Sequence, residues 1–324
     1  MTTTNSPQTR GTLAQPPSTF EKLNDRGFRT LTRLFALAVV LMLVFLVYEI
    51  TRTAWPALIT YGPGFLIGSD WSVAEARFGI WPQIAGTLVS SLLALAMGTL
   101  FGVTVAIVLS QSFLPPKLEW LLTNLVQLLA AIPSVVFGLW GLFVIVPLVR
   151  PIANSLNETM GWFPLFSTRL SGPGMFPAAL VLAIMILPTI ASISRDALAS
   201  VPQRLKEAAY GIGATRWQAI LQIIVPTAAP GIFGAIVLGF GRAVGETMAV
   251  AMLIGNANTI QWSLFAPGTT LAALLANKFA EADPVVEIPA LMAAALVLLV
   301  ITLVINVVGV LILQRASRSL KGIH

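Results

Sequence analysis

Charge is what this chain has least of. Only 10% of its 324 residues are Asp, Glu, Lys or Arg, while 56% are hydrophobic; an ordinary soluble domain carries about 25% charged residues. So little polar surface cannot cover a globule in water, and the composition implies an integral membrane protein. Cysteine is absent, which excludes disulfides, thiolate nucleophiles and zinc–thiolate sites. The single histidine is His324, the last residue, and reads as a chain end and not as a ligand; no metal site is expected. No phosphate-cradling GxxxxGK[S/T] stretch occurs, so nucleotide chemistry, if any, belongs to another chain. Basic residues outnumber acidic ones, 19 to 13. They lie beside the apolar segments, which points to membrane topology and not to nucleic acid as a partner.

What is present is a series of long apolar runs. Spanning helices need about 20 mostly apolar residues, and six segments qualify: 30–54, 82–109, 118–146, 176–193, 228–254 and 288–313. The first, with its flank to 55, stands apart from the remainder, 82–314. Trp55 and Pro56 are expected to close it, as an interfacial anchor and a stop. Pro133 sits inside the third and is expected to kink it. Residues 1–29 are rich in Thr, Pro, Gln and Ser at their start and read as a mostly disordered tail, unlike a signal peptide. Residues 56–80, 147–175 and 255–287 form bulkier loops, the last with a short helix near 269–280, and 315–324 is a basic tail.

The charges orient this arrangement. With six spans both ends lie on one side. That side receives Arg10, Lys22, Arg26, Arg29 and Arg33, Lys117, the central Arg195, Arg204, Lys206 and Arg216, and the final Arg315, Arg318 and Lys321: thirteen residues. The other side receives five, Arg52, Arg77, Arg150, Arg169 and Lys278. The positive-inside rule therefore puts both termini and the central loop in the cytoplasm.

The central loop, 200–226, is the longest polar interruption near the middle of the chain. It reads Glu207-Ala208-Ala209, then Gly213, then Ile223-x-Val225-Pro226. This resembles the EAA loop of ATP-binding-cassette importer permeases, E-A-A, three residues, G, nine residues, I-x-L-P, with Val225 in place of Leu. Pro202 suits a first helical turn, and Gly211 and Gly213 permit a sharp reversal. Ala208 and Ala209 lack bulk, so their helix can enter a groove on a partner with Arg204, Lys206 and Glu207 at the rim. The resemblance implies docking in a cleft of an ATPase subunit.

The fifth span carries Gly239-Phe-Gly241-Arg242-Ala-Val-Gly245-Glu246-Thr247-Met248-Ala-Val250. Arg242 is expected midway along the helix, with Glu246 one turn on and sharing its face. A charge near the bilayer centre costs about 2.5–3.5 kcal/mol on insertion scales and usually faces a protein interior or a wet path. Here it is either a structural ion pair or a site for a passing anion, and the two are compatible. Gly234, Gly239, Gly241 and Gly245 form a thin strip for a close helix neighbour. Thr247 and Ser134 could offer hydroxyls to a substrate, but both could equally bond their own backbone.

The stretch Gly241–Val250 is similar to PstC-type permeases of phosphate importers. So are Ile132-Pro-Ser-Val-Val-Phe-Gly-Leu-Trp-Gly141 and Phe78-Gly-Ile-Trp-Pro82 leading to Gly86-Thr87. Sulfate and molybdate permeases share R-A-x-G-E but usually continue Phe-Gly. The resemblance covers about 26–315. It implies an all-α, MetI-like type I importer permease fold with spans two to six as its core. It implies a non-catalytic subunit with no cofactor of its own, ATP–Mg being held by two PstB-like ATPase subunits. A PstA-like second permease and a PstS-like extracytoplasmic phosphate-binding protein would be further partners, with membrane lipid around them. The implied substrate pathway holds Arg242, Glu246, Thr247 and Ser134; the implied ATPase coupling site holds Glu207, Ala208, Ala209, Gly213 and Pro226. The alternatives are a sulfate- or molybdate-type permease and, in other classes, an ion-gradient-driven anion transporter or a membrane-embedded hydrolase. The docking loop argues against the gradient-driven transporter, and the lack of intramembrane His, Cys or paired acids against the hydrolase.

Overall fold

The computed structural model describes residues 19–111 and 113–321, with side chains over 24–111 and 113–315. The chain divides into two units, residues 1–49 and 50–324. The expected disorder of residues 1–18 and the terminal His324 lie outside the described residues.

The elements in order are α1 (Thr19–Tyr61), α2 (Gly64–Ile67), a two-stranded hairpin β1 (Trp71–Ser72) and β2 (Arg77–Phe78), α3 (Trp81–Ser110), α4 (Pro116–Ala131), α5 (Ser134–Trp140), α6 (Val146–Met160), α7 (Met175–Ala199), α8 (Gln203–Gly211), α9 (Arg216–Ala219), α10 (Val225–Gly245), α11 (Met248–Leu253), α12 (Leu271–Lys278) and α13 (Glu287–Lys321). π-Helical turns join α5 to α6 and α9 to α10. Among the described residues six helical stretches are long and apolar enough to cross a membrane: Asn24–Tyr61, Trp81–Ser110, Ser134–Met160, Met175–Ala199, Arg216–Gly245 and Glu287–Arg315.

The count of six holds, but several spans lie elsewhere than expected. Pro56 does not end the first helix, which continues to Tyr61. Ala54 and Ala57 on either side of it are buried in a cluster with Ala290 and Leu291 of α13, and that packing holds the helix together past the missing donor. Residues 19–29, expected in a disordered tail, already belong to α1, and α13 runs on into the expected basic tail.

The largest difference is at 118–146. Pro133 breaks the chain there and does not merely kink it. A residue before proline is pushed out of the helical region, and Ile132 is extended, with φ −69° and ψ 129°. Pro133 is extended as well, with φ −59° and ψ 141°. The membrane-length segment is Ser134–Met160, and α4 is a separate helix of 16 residues. The span expected at 228–254 is likewise shifted: it starts at Arg216 and stops at Gly245.

The core of the second unit forms around α7. Ile186 and Ile190 are fully buried. They sit where neighbouring backbones come very near: a Cβ added at Gly102 of α3 would lie 3.0 Å from Ile190, and one at Gly239 of α10 would lie 2.8 Å from it. Small residues thus let α3 and α10 close on one branched side chain, the packing that replaces a hydrophobic driving force between helices in lipid. A second cluster joins Phe65, Phe78 and Ile80 to α12 and α13. There the Trp71 indole N–H donates to Glu287 Oε1 at 2.9 Å, giving that buried carboxylate a partner.

Candidate functional site

Arg242 is not in mid-helix. It lies in the last turn of α10, because the helix ends at Gly245 and Glu246 adopts extended backbone, φ −68° and ψ 124°. A cation in that turn opposes the negative end of the helix dipole. Its side chain is exposed, and its Nη1 donates to Thr189 Oγ1 on α7 at 3.2 Å. Among the described residues no acid pairs with it.

The expected shared face of Arg242 and Glu246 therefore does not form. The i,i+4 relation needs an unbroken helix, and the break turns Glu246 away into a different task. Its Oε1 accepts from the Ala249 N–H at 3.4 Å, serving one of the free donors that open α11. Thr247 occupies the N-cap position of α11 without capping it. Its hydroxyl donates to the Gly245 carbonyl at 3.1 Å, so it is engaged with its own backbone.

Ser134 is the first residue of α5, directly after the break at Pro133. α5 packs on α11 with almost no space between them: a Cβ on Gly138 would lie 3.2 Å from the Ala249 Cα. Ser134 and the Glu246–Thr247 break are thus carried by two short helices in contact, while Arg242 reaches toward α7. Of the glycine strip, Gly239 meets α7, a Cβ added at Gly241 would lie 3.4 Å from Asn306 Oδ1 of α13, and Gly234 and Gly245 border open space.

Thr189 and Asn306 were not singled out from the sequence. Each is one of the few polar residues within its apolar span, which was the available signal. A cavity of about 350 Å³ beside Trp81, Met175 and Trp262 has no charged side chain in its wall, so an anion finds no counter-charge there.

The central loop is a helix–turn–helix. α8 carries Glu207, Ala208 and Ala209. Glu207 and Ala208 are exposed, but Ala209 is buried. Only one of the two alanines is free to enter a partner's groove; the other packs α8 onto its own chain. The turn closes as a Schellman motif, with the Gly213 N–H on the Tyr210 carbonyl at 3.0 Å and the Ala214 N–H on the Ala209 carbonyl at 3.1 Å. Gly213 has φ +85°, a conformation that suits glycine. Thr215 and Gln218 then form a reciprocal capping box that starts α9.

Pro226 lies in the first turn of α10, right after the π-turn Ile220–Ile224. A proline there lacks the N–H for a regular turn and crowds the carbonyl four residues back, and the wider turn relieves both. Leu205, Tyr210, Ile212 and Trp217 are exposed around the reversal, Ile212 at 84%. Such a group of exposed apolar side chains marks an interaction surface.

The family described as "Binding-protein-dependent transport system inner membrane component" matches residues 98–321. The chain belongs to this family. The permease is 41% identical over 300 residues to the phosphate transport system permease protein PstC of Pasteurella multocida, covering 90% of this chain and 92% of that protein. It is 39% identical over 298 residues to PstC of Mesorhizobium japonicum, covering 90% and 91%. To the probable PstC of Methanocaldococcus jannaschii it is 33% identical over 301 residues, covering 91% and 94%. Among solved structures, a chain of a bacterial alginate ABC transporter superposes with a TM-score of 0.58 at 18% identity, over 88% of this chain and 94% of the other. A chain of the MetNI methionine ABC transporter in an inward-facing conformation gives 0.52 at 20%, over 74% and 94%. These likenesses place the permease in the type I ABC importer fold, as a multi-pass component of the inner membrane.

Proposed function

We infer that this permease is the membrane subunit through which an ATP-driven importer moves inorganic phosphate across the cytoplasmic membrane. The observation that carries the reading is identity of 38–41%, over about nine-tenths of the chain, to proteins named as phosphate transport system permeases. Arg242 supports it: a guanidinium in the last turn of a membrane helix, free of any acid among the described residues, with only a threonine hydroxyl on it. Guanidinium can give two parallel hydrogen bonds to a phosphate oxyanion.

The subunit itself is non-catalytic and holds no cofactor. ATP–Mg binds on two PstB-like ATPase chains, one of which grips α8 and the exposed residues around Gly213. A PstS-like protein delivers phosphate to the outer loops, and a PstA-like permease supplies the other wall of the path. Both termini and α8 lie on the cytoplasmic side, where the thirteen basic residues gather. Glu246 and Thr247 shape the break next to Arg242, and Ser134 faces the path from the start of α5.

The test is uptake of radiolabelled phosphate by the complete complex reconstituted in proteoliposomes. Phosphate is expected to accumulate with ATP, unaffected by a tenfold excess of sulfate or molybdate. Transport of sulfate or molybdate with phosphate excluded would overturn the substrate assignment, and uptake driven by an ion gradient without ATP would overturn the class.

A further inference from the structure

The turn between α3 and α4 is gripped by two consecutive residues of the coupling turn. The Arg216 guanidinium lies over the Phe113 ring, 4.0 Å from its centroid. The Trp217 ring meets the same phenyl at 5.3 Å between centroids. Arg216 Nη2 also donates to the carbonyl of Gln111, the residue that caps α3. That carbonyl is among the unpaired acceptors at a helix end, where the dipole favours a cation, and a guanidinium over an aromatic face is attracted to the ring quadrupole.

Both sides of this grip are stiff. On one side Arg216 directly follows the Schellman turn and lies within the capping box, so its orientation to α8 is set by the hydrogen bonds of Gly213, Ala214, Thr215 and Gln218. On the other side the chain passes from Phe113 through Pro115 and Pro116 into α4, and proline fixes φ at both positions.

We propose that Arg216 and Phe113 form a strut that carries movement of α8 into α4, as a second arm beside the direct connection through α9 to α10. This rests on the reading of α8 as the ATPase-coupling helix. The two arms converge. The direct arm ends at Arg242, in the last turn of α10. The strut drives α4, whose end leads through the extended Ile132–Pro133 link to α5, and α5 rides on α11 through Gly138 and Ala249. α10 and α11 flank the break at Glu246. A displacement of α8 delivered through both arms therefore acts on the two sides of that break together, which is what opening or closing a path beside Arg242 requires. Arg216 and Phe113 touch no substrate in this scheme; they are positioning residues.

The absence of native cysteine makes the test direct. In the complete complex, a single cysteine at Val136→Cys on α5 reports the strut arm, and one at Gly234→Cys, where an added Cβ meets open space, reports the direct arm. Labelling by a charged thiol reagent is read on this chain with and without ATP. ATP is expected to change the labelling rate at both positions at least threefold. Arg216→Ala and Phe113→Leu are expected to remove the change at Val136→Cys and leave it at Gly234→Cys, with the ATPase chains still co-purifying. Their combination is expected to be no worse than the worse single change. Arg216→Lys, which keeps a cation over the ring, should restore part of the response and covers the case in which Arg216→Ala fails to assemble. An unchanged response at Val136→Cys in Arg216→Ala, or single effects that multiply in the double variant, would overturn the strut. Because labelling is read without substrate, failure of phosphate uptake in the wild-type complex would sink the substrate assignment and leave this result standing.

Discussion

Arg242 and Thr189 meet from two different spans, and the 3.2 Å contact between them is the only hydrogen bond of that guanidinium among the described residues. A hydroxyl can hold the arginine in place without neutralising it, and a passing anion then finds a full positive charge. Replacing Arg242 by Gln should reduce phosphate uptake below a tenth of normal, with the ATPase chains still bound; normal uptake with intact assembly would remove Arg242 from the pathway. Thr189→Val is milder, because the charge remains and only its aim is lost. Hydrogen bonds to charged groups contribute about 1.5–3 kcal/mol, so the phosphate concentration for half-maximal uptake should rise by roughly ten- to a hundredfold. The Arg242-Ala-Val-Gly-Glu246 neighbourhood also shows how residue spacing misleads. Four residues apart implies a pair on a helix, but Glu246 is the first extended residue after α10 and is taken up in serving α11.

At the scale of elements, the breaks carry more information than the helices. Pro133 splits a stretch whose hydropathy reads as one continuous span, and the span then forms from Ser134 onward. The break at Glu246 has no proline to announce it, so hydropathy alone runs through it. The turn after α8 was the most legible element: Gly213 takes the positive φ that the reversal needs, and Pro226 stands in the first turn of α10. Gly213 sits at φ +85° with open space where its Cβ would be. A side chain there meets no steric neighbour, but the left-handed conformation costs a non-glycine residue about 1–2 kcal/mol. Gly213→Val should therefore distort the Schellman closure and tilt α8 against α9. ATP hydrolysis by the complex is expected to continue while phosphate taken up per ATP falls several-fold, measured in the same proteoliposomes. Unaltered coupling in that variant would mean that the angle of the turn does not matter.

For the whole molecule, orientation in the membrane is the quantity that the distribution of basic residues predicts. Ile212, the most exposed apolar side chain of the coupling turn at 84%, offers the check. A single cysteine at Ile212, in the permease expressed without the ATPase chains that would cover it, should react with a membrane-impermeant thiol reagent in inside-out vesicles and stay unlabelled in intact cells. Labelling from outside would invert the topology and with it the direction of transport. Composition, periodicity and charge determined that the chain is a six-span membrane protein, and the motifs determined its family and pointed to the loop proposed to couple it to an ATPase. These are properties of long stretches, in which many weak preferences add, or of local backbone chemistry such as a positive φ. Only the tertiary structure decided that Arg242 turns to Thr189 and not to Glu246, that Ala209 faces inward, and that Arg216 holds Phe113 more than a hundred positions away. Each of those depends on where a helix stops or which neighbour packs against it, and the free energies that settle such choices come from contacts between segments remote in sequence.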